Sequence, residues 1–189
     1  MMLSKHKSIR NLAITALLLT AASAMCVAQT TATGVINATL INKNGISLQF
    51  DTDPAGVTLG ADGTAAATAS FGAVSAFGPL SGGVTRPSVT PANFTVRTIF
   101  DVQVSQGGLA STTYTLKASL AAAAPTGLSY KVDTIILTTA AQTIQTNGPY
   151  GSDVAHNLDL VVSTAAPGAG GPTVNTPITT TINFTATAN

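Results

Sequence analysis

Residues 93–105 show the clearest alternation of hydrophobic and polar positions in the chain. The hydrophobic side of this segment consists of two phenylalanines and three valines: Phe94, Val96, Phe100, Val102 and Val104. Polar residues occupy the positions between them, and only Thr98 and Ile99 depart from the pattern. Because successive side chains of a β-strand point to opposite sides of the sheet, this period of two predicts a half-buried strand.

The same period returns in other segments, which turn residues separate. Residues 113–120 alternate in this way, and the preceding Gly107-Gly108 predicts a hairpin that joins them to 93–105. Residues 78–92 are rich in Gly and Pro, which predicts a long connection between sheets or an exposed loop. Further strands are predicted at 33–41, 45–50, 68–76, 128–138, 157–163 and 177–187, with short candidates at 57–60 and 142–146.

About eight short strands with Gly, Pro and Asn between them predict an all-β domain over residues 29–189. The favoured architecture is a two-sheet Greek-key sandwich, and a small closed barrel is the alternative. The alanine run at 120–124 is the one stretch that suggests a helix, and Pro125 ends it. The absence of a repeat of fixed period argues against a solenoid or a propeller.

Both ends of the predicted domain have the pattern of strands. The hydrophobic side of the last segment includes Ile178, Ile182 and Phe184. The hydrophobic side of the first segment includes Gly34, Ile36, Ala38 and Leu40. An uncharged strand at a chain end pairs either within its own domain or with the sheet edge of a neighbouring molecule. The first segment is therefore either an ordinary first strand or a donor strand for assembly.

The first 28 residues have the layout of a secretory signal peptide. An apolar run at 12–22 follows three basic residues, Lys5, Lys7 and Arg10. Small residues precede two candidate cleavage sites, after Ala28 and, as the second choice, after Ala24. A helix that spans a membrane needs about 20 apolar residues, and this run is shorter. The sequence therefore predicts a protein secreted through the periplasm to the cell surface or beyond, with no membrane span.

Composition removes several classes of function. Only 8% of the 189 residues are charged, whereas about 25% is typical of soluble domains. So few charges exclude a charged coiled coil, a charged disordered tail and a basic surface for nucleic acid. Cys26 is the one cysteine and lies in the predicted signal peptide, which excludes a fold held by disulfides. We expect no cofactor.

The residues that catalysis requires are scarce, and we expect no enzyme. His156 is the one histidine after the signal peptide, and Asp153 or Asp159 with a serine would complete a catalytic triad. The strand–turn–helix elbow that presents such a serine is not evident in the sequence. We predict instead that His156 is a loop residue with local hydrogen bonds. Asp101 and Asp133 form a candidate carboxylate pair for glycoside hydrolysis, with solvated surface charges as the favoured interpretation.

Asp51, Asp53 and Asp62, with Gly56 between them, partly match the Ca²⁺-loop template. The template has a bidentate Glu where this chain has Asp62, and no predicted helices flank the segment. An oxygen-rich turn of this kind would bind extracellular Ca²⁺ weakly. The favoured alternative is a turn in which aspartates cap backbone N–H groups.

Several segments resemble bacterial fimbrial major subunits and the related spore coat protein U group. They are Ser70-Phe71-Gly72-Ala73-Val74, the Gly/Pro-rich loop, residues 94–104, Tyr114-Thr115-Leu116 and the alternating C-terminal strand. The cysteine pair common in both groups and the penultimate tyrosine of many fimbrial subunits are absent. The resemblance implies an incomplete immunoglobulin-like sandwich, which a strand from the next subunit completes in a surface fibre.

Low charge, the lack of a catalytic set and two strand-like ends together favour a structural role. We expect a subunit of an extracellular fibre, pilus or surface coat that assembles by β-strand pairing with copies of itself. The alternative is a secreted monomeric binding or adhesion module for carbohydrate or another surface ligand. In that case loops 78–92 and 147–156 would carry the contacts, since loops on a rigid sandwich usually do.

Overall fold

A computed structural model describes residues 30–38, 45–166, 168–173 and 175–189. The predicted signal peptide and Leu40 lie outside the described residues. The described part of the chain contains eleven strands and no helix. The predicted all-β sandwich of two sheets is confirmed, with more strands than the eight or so expected.

Sheet A has five strands, and the first and last strands of the chain are neighbours near its centre. In spatial order it consists of β3 (Ala66–Val74), β1 (Thr30–Ala38), β11 (Ile178–Ala188), β6 (Thr113–Leu120) and β9 (Gln142–Pro149). Sheet B runs in the order β2 (Ile46–Asp51), β5 (Asn93–Gln106), β10 (Asp153–Ser163), β7 (Leu128–Val132) and β8 (Ile135–Ile136), with β4 (Thr85–Val89) also on β5.

The predicted alternation places one side of each long strand in the core. On β5, Phe94, Val96, Phe100, Val102 and Val104 are all buried. The core between the sheets contains an aromatic cluster, in which the Phe184 ring of sheet A lies 5.2 Å from Phe50 and 5.8 Å from Phe100 of sheet B. Rings at these separations make favourable edge contacts, so this cluster joins the two sheets directly.

The predicted hairpin between 93–105 and 113–120 is wrong. β5 lies in sheet B and β6 in sheet A, so residues 107–112 connect the two sheets. β6 pairs with β11 and β9, and β5 pairs with β2, β10 and β4. A strand with one buried side has the same period whether its successor joins its own sheet or the opposite one. The alternation of hydrophobic and polar residues therefore cannot distinguish a hairpin within one sheet from a connection between the two sheets.

Two smaller predictions are also corrected, and a third is confirmed with an added strand. The strand predicted at 128–138 is divided by a two-residue turn at Asp133-Thr134, because Val132 pairs with Ile135 and Asp133 has a positive φ of 54°. The 78–92 connection does link the two sheets, and it also contains β4. The short strand predicted at 57–60 is only an isolated bridge from Gly60 to Thr68.

Candidate assembly interface

β1 lies between two strands of its own chain. It pairs in parallel with β11 from Ala32 opposite Ile178 to Ala38 opposite Phe184. On its other side it pairs antiparallel with β3, from Thr30 opposite Val74 to Asn37 opposite Ala66. Both rows of backbone hydrogen-bonding groups of β1 are therefore used within the sheet.

The interior side of β1 contributes to the core. Ala32 and Ile36 are 2% and 0% exposed, and Gly34 between them is buried. A Cβ at Gly34 would lie 3.8 Å from the Leu158 side chain of sheet B, so the backbone of β1 directly faces the opposite sheet. The predicted donor-strand residues Gly34 and Ile36 therefore close the core.

β11 supplies the other half of this arrangement. Ile182 and Phe184 are fully buried, and Ile178 is partly buried against the core. The strand lies between β1 and β6, where Ile182 is opposite both Ile36 and Leu120. The structure thus brings the predicted N-terminal and C-terminal assembly residues together as neighbouring strands.

The outer edge of sheet A depends on β1, because β3 has no other strand neighbour in the described sheet order. A loop covers part of the free edge of β3, since Gly60 and Thr68 exchange backbone hydrogen bonds of 2.8 and 2.9 Å. Removal of β1 would separate β3 from β11 and expose the core at Leu158. The gap between β3 and β11 is hereafter called the β1 seat.

His156 is not the loop residue that we predicted. It lies on β10, is 3% exposed and faces the core beside Phe100, with ring centroids 6.0 Å apart. Its Nδ1 lies 2.8 Å from Oδ2 of Asp133, and Oδ1 of the same carboxylate accepts the Asn157 backbone N–H at 2.9 Å. His156 Nε2 is buried without a hydrogen-bond partner in the described structure.

The Asp133 carboxylate fixes the tautomer of His156. Burial alone would raise the pKa of Asp133, but hydrogen bonds from His156 and Asn157 outweigh it and hold the pKa below its ordinary value. An ionised carboxylate only accepts hydrogen bonds, so the His156 nitrogen that faces it, Nδ1, carries a proton. The other ring nitrogen, Nε2, is buried, and no serine hydroxyl of the described residues is bound to it. The pair therefore has the geometry of a structural link between β10 and the β7–β8 turn.

Asp153 and Asp159, the acids of the candidate triad, bind side chains other than His156. Asp159 accepts two hydrogen bonds from Arg97, at 2.6 and 2.8 Å, and Asp153 accepts one from Gln103. Asp101 lies opposite Ala155 on β10 and opposite Asp51 on β2, whereas Asp133 binds His156. Burial first, and then the charges of Asp53, Asp153 and Asp51, raise the pKa of Asp101.

The aspartates of the candidate Ca²⁺ loop have roles in turns. Asp62 Oδ1 accepts the Thr52 N–H at 2.6 Å, and Asp53 Oδ1 accepts the Ala55 N–H at 2.7 Å. Asp51 Oδ2 accepts a hydrogen bond from Gln49. No group of three metal-ligating residues suited to an ion occurs in the part of the chain that the structure describes.

Phe71 and Phe77 flank a Gly-rich turn, and the sequence favours core packing for both over a binding patch. This prediction is confirmed for Phe71, which is buried, and is wrong for Phe77, which is 73% exposed. The Arg86 side chain donates to the Ser75 and Gly78 carbonyls at 3.0 Å, and the Ser75 hydroxyl donates to the Phe77 carbonyl. These bonds fix the loop backbone while the Phe77 ring remains in solvent. Gly78-Pro79 directly after Phe77 marks a turn, and this sequence could have indicated that Phe77 lies in an exposed loop.

Comparisons with known proteins add no assignment. No protein-family model matches the chain, and no curated protein is similar to it in sequence. Among the described residues no helix is long and apolar enough to cross a membrane.

Proposed function

We propose that the chain is a secreted structural subunit of an extracellular fibre, pilus or surface coat, and that subunits assemble by exchanging β1. The observation that supports this most is the position of β1. A strand at the start of the domain pairs on both sides and closes the core through Ala32, Gly34 and Ile36. Its contacts would be the same if β1 came from another copy.

Exchange requires little change in the rest of the fold. β1 belongs to sheet A and the next strand, β2, to sheet B, so exchange of β1 breaks no pairing between consecutive strands. If each copy donates one β1 and accepts another, the contact is head to tail. Contacts of this kind generate rings if the rotation closes and open filaments if it does not. Exchange of an identical element is also a low-cost route to assembly, because no new interface has to be built.

Single-cysteine variants of residues 29–189, which contain no native cysteine, test the exchange. Thr33 and Thr179 are direct neighbours across β1 and β11, and neighbouring strands lie about 4.8 Å apart, within disulfide range. We expect a mixture of T33C and T179C proteins, unfolded, refolded together and oxidised, to form a disulfide between chains. The T33C/T179C double variant should give a covalent ladder on non-reducing gels.

A matched control uses Thr115 and Thr187, which are neighbours across β6 and β11 on the same side of sheet A. Because that pair does not involve β1, T115C and T187C proteins should remain unlinked after the same treatment. A T33C/T179C double variant that forms only an internal disulfide, together with unlinked T33C and T179C mixtures, contradicts exchange.

A second candidate function is that of a monomeric binding module. An exposed aromatic residue and a groove at one end of the sandwich favour it. Phe77 projects into solvent there, close to where β3 ends opposite the start of β1. A groove of about 370 Å³ opens where β11 begins, at the same end, and is lined in part by Pro125, Leu128, Pro172, Pro177 and Ile178. Aromatic rings and such grooves are typical contacts for a sugar or another surface ligand. Loss of glycan-array binding in F77A, with the protein monomeric throughout, would favour this candidate over assembly.

A further inference from the structure

The charged residues are distributed unequally between the two sheets. The described strands of sheet A carry one charged residue, Lys117 on β6. The strands of sheet B carry seven: Asp51, Arg86, Arg97, Asp101, Lys131, Asp153 and Asp159. The two sheets therefore differ strongly in the number of charged residues that they carry.

The outer face of sheet A is built almost entirely from small, uncharged residues. Across β1 and β11, Thr33 lies opposite Thr179, Val35 opposite Thr181, and Asn37 opposite Asn183. The rows continue onto β6, where Ser119 lies opposite Asn183 and Thr115 opposite Thr187. Among the outward positions of these three strands, Lys117 is the one long side chain. The outer face of the five strands of sheet A is hereafter called the threonine face.

The size of the threonine face suits another protein surface. Five strands about 4.8 Å apart and about nine residues long cover roughly 700 Å². Two such faces in contact would bury about 1,400 Å², which falls within the standard range for stable interfaces. Depletion of charge is the compositional mark of an interface core, and small side chains permit two sheets to stack about 10 Å apart.

We propose that the threonine face is a lateral docking surface for the threonine face of a second copy. When two neutral faces meet, no charged group has to lose its hydration. A charged partner would lose its hydration and find no opposite charge on this face. Threonine and asparagine side chains supply both donors and acceptors, so two identical faces can satisfy each other. This contact is isologous and does not use β1 exchange, so it would join subunits side by side.

The test separates lateral docking from strand exchange. After oxidation, an A32C/I178C variant, whose cysteines replace neighbouring interior residues of β1 and β11, gives a monomer in which an internal disulfide holds β1 in its own seat and leaves the threonine face unchanged. Any dimer of this locked chain must form by another surface. We expect this locked chain to dimerise reversibly in sedimentation equilibrium. N183K, at the centre of the threonine face, should raise the dimer dissociation constant by at least about tenfold, because a charge is then buried without a partner.

N93K is the matched control, because Asn93 is a half-buried residue of β5 in sheet B. It should change the dissociation constant less than about threefold, as surface substitutions usually do. T181K is a second variant on the threonine face, and circular dichroism establishes that each variant is folded. A locked chain that remains monomeric up to about 1 mM, or equal effects of N93K and N183K, overturns the proposal. The cysteine mixtures remain the separate readout of exchange.

Discussion

Replacing Phe184 with alanine is expected to lower the free energy of unfolding by about 3–5 kcal/mol. The Phe184 ring is fully buried and lies within 6 Å of both Phe50 and Phe100. Its removal leaves a cavity at the point where the two sheets meet, and the rigid strands on both sides cannot close it. Because domains are typically stable by only 5–15 kcal/mol, this loss would be a large part of the total. Urea denaturation of the locked A32C/I178C monomer measures it without interference from exchange.

F77A is the matched control for the same chemical change. The Phe77 side chain is 73% exposed, so its removal should change the free energy of unfolding by less than about 0.5 kcal/mol. Equal losses in F184A and F77A would contradict the described core.

Replacing Asp133 with asparagine should destabilise the protein by about 1–3 kcal/mol at pH 7, since a buried polar group is then left without its partner. The Asp133 carboxylate accepts from both the Nδ1–H of His156 and the Asn157 backbone N–H. An Asn amide has only one acceptor oxygen, so whichever way it turns, its NH2 group faces one of these two donors. Asparagine tolerates the positive φ of residue 133, so the backbone adds no strain.

The pH dependence of D133N has a defined sign. Hydrogen bonds hold the pKa of folded Asp133 below its ordinary value, despite burial, so the unfolded chain binds the proton more readily. Its contribution to stability is complete above the unfolded pKa of about 3.9 and is lost as the pH falls through the folded pKa. The difference between the wild type and D133N should therefore shrink in acid, as urea titrations at pH 7 and below pH 3.5 would show.

D101N makes the same chemical change, but we expect it not to lower the stability of the protein at pH 7. Burial, and then Asp53, Asp153 and Asp51, raise the pKa of Asp101, so its ionised form is disfavoured in the folded state. At pH 7 the D101N variant should be at least as stable as the wild type in urea denaturation. A loss of stability in D101N as large as in D133N would refute the electrostatic contrast between the two carboxylates.

The fold was predictable from sequence to the level of strands and their buried sides. Alternation is a local property, and it correctly identified the buried side of β5 and the buried residues Ile182 and Phe184 of β11. The partner of each strand is a long-range property. The turn after β5 therefore predicted a hairpin, whereas β5 and β6 lie in opposite sheets.

The Asp133–His156 pair was beyond prediction for the same reason. The two residues are 23 positions apart and meet because a two-residue turn after β7 brings Asp133 to the edge of β10. Nothing local to either residue indicates this partner. The low number of charged residues was visible in the sequence. That nearly all of them lie on sheet B became clear only when the pairing of the strands was known.

Electron microscopy of the unheated, exported protein tests the proposed role most directly. Residues 29–189 would be purified without heating, separated by size exclusion and imaged in negative stain. We predict filaments or a series of oligomers that dissociate on heating, because subunits joined through β1 separate only when the strand leaves its seat. A single monomeric species at every concentration, with no filaments on the grid, would contradict self-assembly.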